Sequence, residues 1–450
     1  MQYLPQIAFL IVLGVATGFI SRRIGQIKYN INLGQELDRS DRPADRWRTM
    51  ALMAIGQKKM FKRVIPAVLH LTIYVGFWVI NLEVLEFIID GIFGTHRIFA
   101  PFLGNFYSVA INIFEFLAVA VFLACVFFLT RRHVLKLDRF YGFSMKGWPT
   151  LDANLILVIE MLLMAAILTM NATDQLLQDR EVAGYVQTGD FIFSKPLKPV
   201  FAGLSNQALV FTERFAWWFH IIGILGFAAY VTYSKHLHIG MAFPNTYYSN
   251  LQANGKMDNM PAVTSEVNSM LGIQHGNDNG ETGEEDIPDR FGAKDVNDLY
   301  WTDIMGAYSC TECGRCTAEC PANQTGKRLS PRAIMQATRD RAEELGEAKR
   351  KGQEDNKSLL DDYISREELN ACTTCNACVE ACPVNINPLN IILQMRRYIS
   401  MEEAATPAQW NSMFNNIETS FSPWKFAPTD RFNWAEELKQ QQEKASSENQ

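Results

Sequence analysis

Over roughly the first 240 residues, long apolar runs alternate with shorter polar ones, and the rest of the chain is polar and charged. A helix needs about 20 apolar residues to cross the hydrocarbon core of a bilayer. Five stretches reach that scale, near 3–20, 64–90, 105–130, 151–171 and 207–233. They predict five transmembrane helices. The first does not read as a secretory signal, because "MQYLPQIAFL" has no basic residue ahead of the apolar run and "SRR" follows it. In the second half the period is helical. "SPRAIMQATRDRAEEL" has Ser330 as a cap and Pro331 in the first turn, and "GEAKRKGQEDNK" reads as a charged turn. "SREELNACTTC" opens a further helix with Ser365 as cap and Glu368 three residues on. Residues 250–298, with "HGNDNGETGEED", show little apolar period and read as a flexible connection. The pattern predicts an all-α chain in four parts: a membrane domain 1–240, an acidic linker 241–298, a helical domain 299–400, and an aromatic segment with a disordered tail over 401–450, disordered past 440.

Charge then orients the bundle. Ser21 to Arg63 carries eleven Lys/Arg, whereas the loop after the second span has only Arg97. The next loop begins "RRHVLKLDR", and the one near 172–206 has Arg180, Lys195 and Lys198 beside acids. Basic loops stay cytosolic, so the N-terminus is expected outside and the second half in the cytosol. The net charge of −6 is unevenly spread and says little by itself. No basic patch interleaved with aromatics indicates nucleic acid. No glycine-rich phosphate loop and no nucleophile elbow is present.

Ionisable side chains inside spans are costly and mark function or pairing. Here they are His70, Glu83, Glu86, Glu115, Glu160 and His220. The glutamates pair or snorkel near an interface, or else they handle protons or touch a quinone. A b-type haem in a bundle needs two imidazoles on facing helices at one depth. His70 begins the second span, and His236 and His238 end the fifth. His220 stands eighteen residues before His238, five whole turns, so an unbroken helix places both on one face and favours His238 over His236. No histidine stands at the matching outer depth of the second span, where Ile80 and Glu83 lie. One haem on His70 and His238 is expected, with His236 and His220 as alternative ligands and His220 otherwise packed or near a quinone head. His96, His133 and His275 read as solvated, and Cys125 as a buried hydrophobe.

The remaining eight cysteines form two runs, "CTECGRCTAECP" at 310–321 and "CTTCNACVEACP" at 372–383. Four thiolates at this spacing before proline suit a cubane cluster, and the fourth serves the other cluster in two-cluster ferredoxins. Cys310, Cys313, Cys316 and Cys382 are therefore expected on one [4Fe–4S] cluster. Cys372, Cys375, Cys378 and Cys320 are expected on the other. Zinc sites use paired C-x2-C units instead.

The membrane half resembles the cytochrome b (gamma) subunit of respiratory nitrate reductase through His70, His220 and His238, but Ile80 stands where that family has a further histidine. The resemblance implies a single haem b. The cysteine half is similar to the helical ferredoxin subunit of heterodisulfide reductases through its two runs and "GKRLSPR". Fusions of both halves resemble membrane proteins related to electron-transfer-flavoprotein:menaquinone oxidoreductase. That likeness implies a quinone-linked oxidoreductase subunit of the bacterial inner membrane, with menaquinone and a cytosolic redox partner. Such relatives often add a Cys-Cys-Gly domain, and no Cys-Cys pair occurs here. Either it is not needed, or a separate subunit or an electron-transfer flavoprotein takes that place. The competing readings are a membrane-anchored ferredoxin without haem and a redox sensor. Phe421, Trp424, Phe426, Phe432 and Trp434 either dock a partner or cover the cysteine domain.

Overall fold

The computed structural model describes residues 3–272, 290–425 and 427–447. Five helices are long and apolar enough to cross a membrane: α1 Leu4–Ile31, α2 Val64–Phe93, α3 Asn105–His133, α4 Trp148–Asp179 and α5 Asn206–Val231. Their boundaries follow local rules. Pro5, Pro66 and Pro149 lie in first turns, where a missing N–H costs nothing. α2 ends on Gly94 in the left-handed region, φ 71°. No strand occurs among the described residues.

The bundle core joins Phe9, Phe87, Val121, Leu163, Ile167, Trp217 and Ile221. Two glycines allow the close approach that drives helix association in lipid. A Cβ on Gly91 would stand 2.7 Å from the Phe9 ring, and one on Gly223 would stand 2.6 Å from Leu163. Outward positions such as Ile7, Ile11 and Val15 stay apolar and exposed, as a lipid-facing surface requires.

The second half packs α7 Trp301–Tyr308, α8 Pro331–Lys351 and α9 Pro388–Met401 around Ile304, Leu329, Ile334, Leu359, Ile391 and Met395. Ser330 caps α8, accepting from the Ala333 N–H, and Ser365 and Glu368 form a reciprocal capping box. α8 runs into the first half of the expected charged turn, through Lys351, and stops at Gly352, φ 65°. This half is seated on one end of the bundle. Arg23 of α1 pairs with Glu343 of α8 at 2.6 Å, and Asn30 donates to Tyr308 Oη at 2.8 Å. Gln35 N–H donates to the Leu299 carbonyl at 2.7 Å, and Trp301 N–H returns to the Gln35 carbonyl at 3.1 Å.

Two boundaries differ from the sequence reading. The linker expected from residue 241 begins instead as a helix, α6 His238–Tyr247, with Ala242, Asn245 and Thr246 buried. Asn245 donates to the Val384 carbonyl at 2.6 Å, so small and polar side chains lock α6 onto the cysteine half. A short helix follows at Pro261–Met270. The acidic run and His275, both read as solvated, lie outside the described residues. The tail is also more regular than expected. α10 Ala408–Ser420 and α11 Asn433–Ser447 are helical, the latter through 441–447, which had been expected to be disordered. Its glutamate-, glutamine- and lysine-rich stretch has high helix propensity. Phe421, Trp424, Phe432 and Trp434 are exposed and do not cover the cysteine domain. Phe426 lies outside the described residues.

Candidate functional site

The two cysteine runs have one backbone fold in two copies. In the first, Glu312 and Gly314 take left-handed φ of 54° and 72°. In the second, Thr374 and Asn376 take 56° and 62°. These are equivalent positions around the second cysteine of each run. Alternating right- and left-handed residues turn successive backbone N–H groups inward, forming an anion-binding nest of the kind found at iron–sulfur sites. The N–H of Thr374 donates to Cys372 Sγ at 3.4 Å, and that of Ile386 donates to Cys382 Sγ at 3.3 Å. The last cysteines match as well, Cys320 at φ −78°, ψ 117° and Cys382 at −74°, 121°. Both precede proline, which forces this extended shape and turns the chain away from its own run.

The thiols of both runs lie close together. Cys310 lies within electrostatic reach of Cys313 and Cys382, and Cys316 within reach of all three and of Cys378 in the second run. Cys372 faces Cys320 and Cys375, and Cys378 faces Cys372, Cys320 and Cys375. Cationic side chains surround both: Arg332 and Arg139 beside the first set, Arg396 beside Cys372. Burial pushes the thiols of Cys310 and Cys378 up to about 12 and that of Cys382 up to about 11. Such thiols bind as thiolates only when a cationic centre replaces the proton. Among the described residues no three His, Cys, Asp or Glu side chains converge on a single ion. A cubane spreads its four cysteines over four irons and needs no such convergence.

The surroundings of the runs differ. Cys375 is exposed, whereas Cys310 is buried. The first run faces the bundle. Arg315, next to Cys316, donates to the Lys59 carbonyl at 3.4 Å and lies within electrostatic reach of His70. Glu312 is 4% exposed and pairs with Lys235 at 2.6 Å and with Arg339 at 3.0 Å. Those two cations hold its carboxyl below the usual range despite burial.

Beneath the first run lies a histidine cluster. The rings of His70 and His238 are 6.3 Å apart between centres, and those of His236 and His238 are 5.4 Å apart. His70 Nδ1 lies 3.0 Å from Gln57 Oε1, and His238 Nδ1 lies 3.1 Å from the Lys235 carbonyl. The five-turn argument for choosing His238 over His236 does not hold. α5 stops at Val231 and a 3-10 turn at Lys235–Leu237 follows, so the helix linking His220 to His238 is broken. Ser234 receives the His236 N–H at 2.9 Å, and Asp152, buried in α4, receives the Lys235 N–H at 3.1 Å. This anchored break swings both histidines toward His70. His220 stays apart in the bundle. Its Nδ1 lies 3.0 Å from the Leu163 carbonyl, and its buried Nε2 has no partner.

The glutamates divide. Glu86 accepts from Tyr107 at 2.7 Å and from the Phe99 N–H at 3.0 Å, and Glu115 accepts from Asn171 at 3.0 Å. Glu83 is 2% exposed and neither oxygen has a partner. Glu160 is half-buried. Two loop residues depart from the sequence reading. His96, expected in solvent, has only 21% of its side chain exposed and stands 3.7 Å from Asp174, because its loop folds over the far end of the bundle. Arg97, used only as a loop charge, is buried and bonded to Asp174, Asn171 and Tyr107. His133 is exposed on Asn154, and Cys125 is buried as expected. Lys235, Glu312, Gln57 and Asp152 were not singled out by sequence. The one available signal was Lys235 next to the histidine pair in "YSKHLH".

Comparison with known proteins agrees with the cysteine geometry. Residues 306–386 match a 4Fe-4S dicluster domain, which makes two [4Fe–4S] clusters the cofactors of this part of the chain. A probable iron-sulfur-binding oxidoreductase of Bacillus subtilis is 25% identical over 90% of this chain and 57% of its own length. The EtfAB:quinone oxidoreductase of Syntrophomonas wolfei is 26% identical over 89% of this chain and 55% of its own. A probable membrane-anchored ferredoxin of Chromohalobacter salexigens is 30% identical over 34% of this chain and 25% of its own. The chain thus spans little more than half the length of the first two relatives. No solved structure matches.

Proposed function

We propose that this chain is a membrane-bound oxidoreductase subunit that passes electrons between a cytosolic redox partner and the membrane quinone pool. Residues 1–240 form its membrane domain and 299–400 its cluster domain, with the basic loops and the cluster domain on the cytosolic side of the inner membrane. The single observation that carries the reading is that the first cysteine run reaches the histidine cluster of the bundle through Arg315, while Cys375 of the second run is exposed. Cys372, Cys375, Cys378 and Cys320 hold the cluster nearer the surface. Cys310, Cys313, Cys316 and Cys382 hold the one nearer the bundle. Cationic Arg332, Arg139 and Arg396 offset the negative charge of the thiolates.

His70 and His238 fit one haem b. Their ring centres stand 6.3 Å apart, and these two imidazoles would hold the haem iron, which would supply a one-electron carrier there. Gln57 engages Nδ1 of His70 and the Lys235 carbonyl engages Nδ1 of His238, which leaves both Nε2 atoms for the iron and fixes the ring orientations. His236 is the alternative ligand beside them. Clusters and haem supply one-electron steps, while a quinone accepts two electrons with two protons. The partner is an electron-transfer flavoprotein or a subunit carrying the Cys-Cys-Gly domain. The flavoprotein reading is supported by the likeness to the EtfAB:quinone oxidoreductase of Syntrophomonas wolfei, and menaquinone is the quinone that the resemblance implies.

The test is an optical spectrum of the purified, iron-replete membrane protein. Dithionite produces reduced Soret and alpha bands of a b-type haem, and His70→Ala abolishes them. Absence of those bands in the unmodified protein overturns the haem and favours the membrane-anchored ferredoxin reading.

A further inference from the structure

A large cavity lies where the cysteine domain meets the bundle, and nothing so far uses it. Its volume is about 1230 Å³, and its walls come from Arg22–Tyr29 on α1, from Phe143–Pro149, from Thr232–Leu237 and from α8. That exceeds the roughly 300–1,000 Å³ typical of small-molecule sites, enough for a bicyclic ring and the start of a long tail.

Neighbours of both redox elements line it. Arg339 lines the cavity and holds Glu312, which lies between Cys310 and Cys313. Tyr308, two residues before Cys310, lines it as well. On the bundle side Ser234 and Leu237 line it, and they flank His236 and His238. The walls also offer hydrogen-bond groups. Arg23 is 8% exposed and its Nε has no partner, although its other nitrogens engage Glu343. Phe19 and Ile24 on α1 and Trp148 and Leu151 on α4 neighbour the lining positions, and all four are exposed apolar side chains. A ligand with a polar head and an apolar tail matches such a site: the head meets Arg23, and the tail follows the apolar surface toward lipid.

We infer that this cavity is the quinone site, placed between the inner cysteine run and the histidine pair. The inference rests on the proposed function and names the place of its substrate. In the forward direction one quinone takes two electrons, delivered singly by the reduced carriers of this chain, and two protons from water reaching the cavity. The two ring carbonyls become hydroxyls, and quinol leaves along the tail path. Arg23 acts as a positioning residue for one carbonyl.

Photolabelling tests this without turnover. The purified holoprotein in detergent is irradiated with an azido-naphthoquinone, and the labelled peptides are mapped. Label on 22–29, 143–149 or 336–351, displaced by excess menaquinone, supports the site. Displaceable label confined to the far end of the bundle near His96 and Glu213 overturns it. The companion variant is Gly25→Trp, since a side chain there meets nothing within 4 Å of its Cβ and extends into free space. It keeps both cluster signals and raises the KM for the quinone at least about tenfold. Unchanged quinone kinetics in that variant overturn the site and leave the electron-transfer role standing. Failure of the unmodified protein to exchange electrons with any quinone overturns that role, and the site with it.

Discussion

The two cysteine runs share spacing, left-handed positions and a final extended cysteine before proline, yet their surroundings differ. The first is pressed against the bundle, with Glu312 buried between Lys235 and Arg339. The second presents Cys375 to solvent. A duplicated ligand loop thus sets what is bound, and the neighbours set what each copy does. One copy is suited to meet a soluble partner and the other to meet the membrane.

The comparison breaks first at the fourth cysteines. Cys382→Ala is expected to behave like Cys313→Ala, and Cys320→Ala like Cys375→Ala, if each run lends its last thiolate to the other as proposed. Each variant should lose about four of eight irons, measured by iron and sulfide analysis with EPR spectra of the remaining cluster. If Cys320→Ala gives the spectrum of Cys313→Ala, each run holds its own cluster and the crossing is wrong.

Lys235→Met sharpens the asymmetry. The Lys235 ammonium bonds Glu312 at 2.6 Å and the Pro149 carbonyl at 2.6 Å, and its backbone carbonyl engages His238. Removing one partner of a buried charge pair costs about 3–5 kcal/mol, and Arg339 remains to hold Glu312, so the loss should fall below that. The redox potential and EPR line shape of the inner cluster should shift, with those of the outer cluster unchanged. Equal shifts in both would contradict the difference between the copies.

Smaller effects separate the left-handed positions. A Cβ on Gly314 would stand 2.6 Å from Arg332 Nη1 and 3.1 Å from the Arg139 carbonyl. Asn376→Ala meets only the left-handed penalty, roughly 1–2 kcal/mol. Gly314→Ala should therefore lower thermal stability more than Asn376→Ala, and the reverse order in a melting experiment would count against the packing described for the first run.

A pH dependence is expected in α7. Burial pushes the Asp303 carboxyl up to about 7 from 3.8, while Asn390 partly opposes it. A raised folded value means that the folded state binds the proton more tightly. Its contribution is full below the unfolded value and is lost as pH rises through about 7. Asp303→Asn should flatten the stability profile over that window.

Much of this was legible in sequence, for physical reasons. Five spans follow from hydropathy, because lipid leaves the backbone little alternative to helix. The two-cluster domain follows from spacing, because a cubane constrains its ligands, and residues 306–386 match a 4Fe-4S dicluster domain. The caps at Ser330 and Ser365 are local and formed as read. What escaped was tertiary. The break after Val231 depends on Asp152 receiving the Lys235 N–H from across the bundle, so helical period misjudged His236. Arg97 and His96 sit in a loop whose sequence is merely polar, and only its folding over Asp174 buries them. α6 was taken as linker because its buried face is made of Ala242, Asn245 and Thr246, which carry no strong apolar signal.

The central claim is electron exchange between the cluster domain and membrane quinone. Its most direct test is to reduce the purified holoprotein, remove the reductant, add a menaquinone analogue anaerobically, and follow the reduced-cluster EPR signal while assaying quinol. The account predicts that both cluster signals disappear as quinol forms, one quinol for every two electrons lost. Clusters that stay reduced beside unreacted quinone would contradict it.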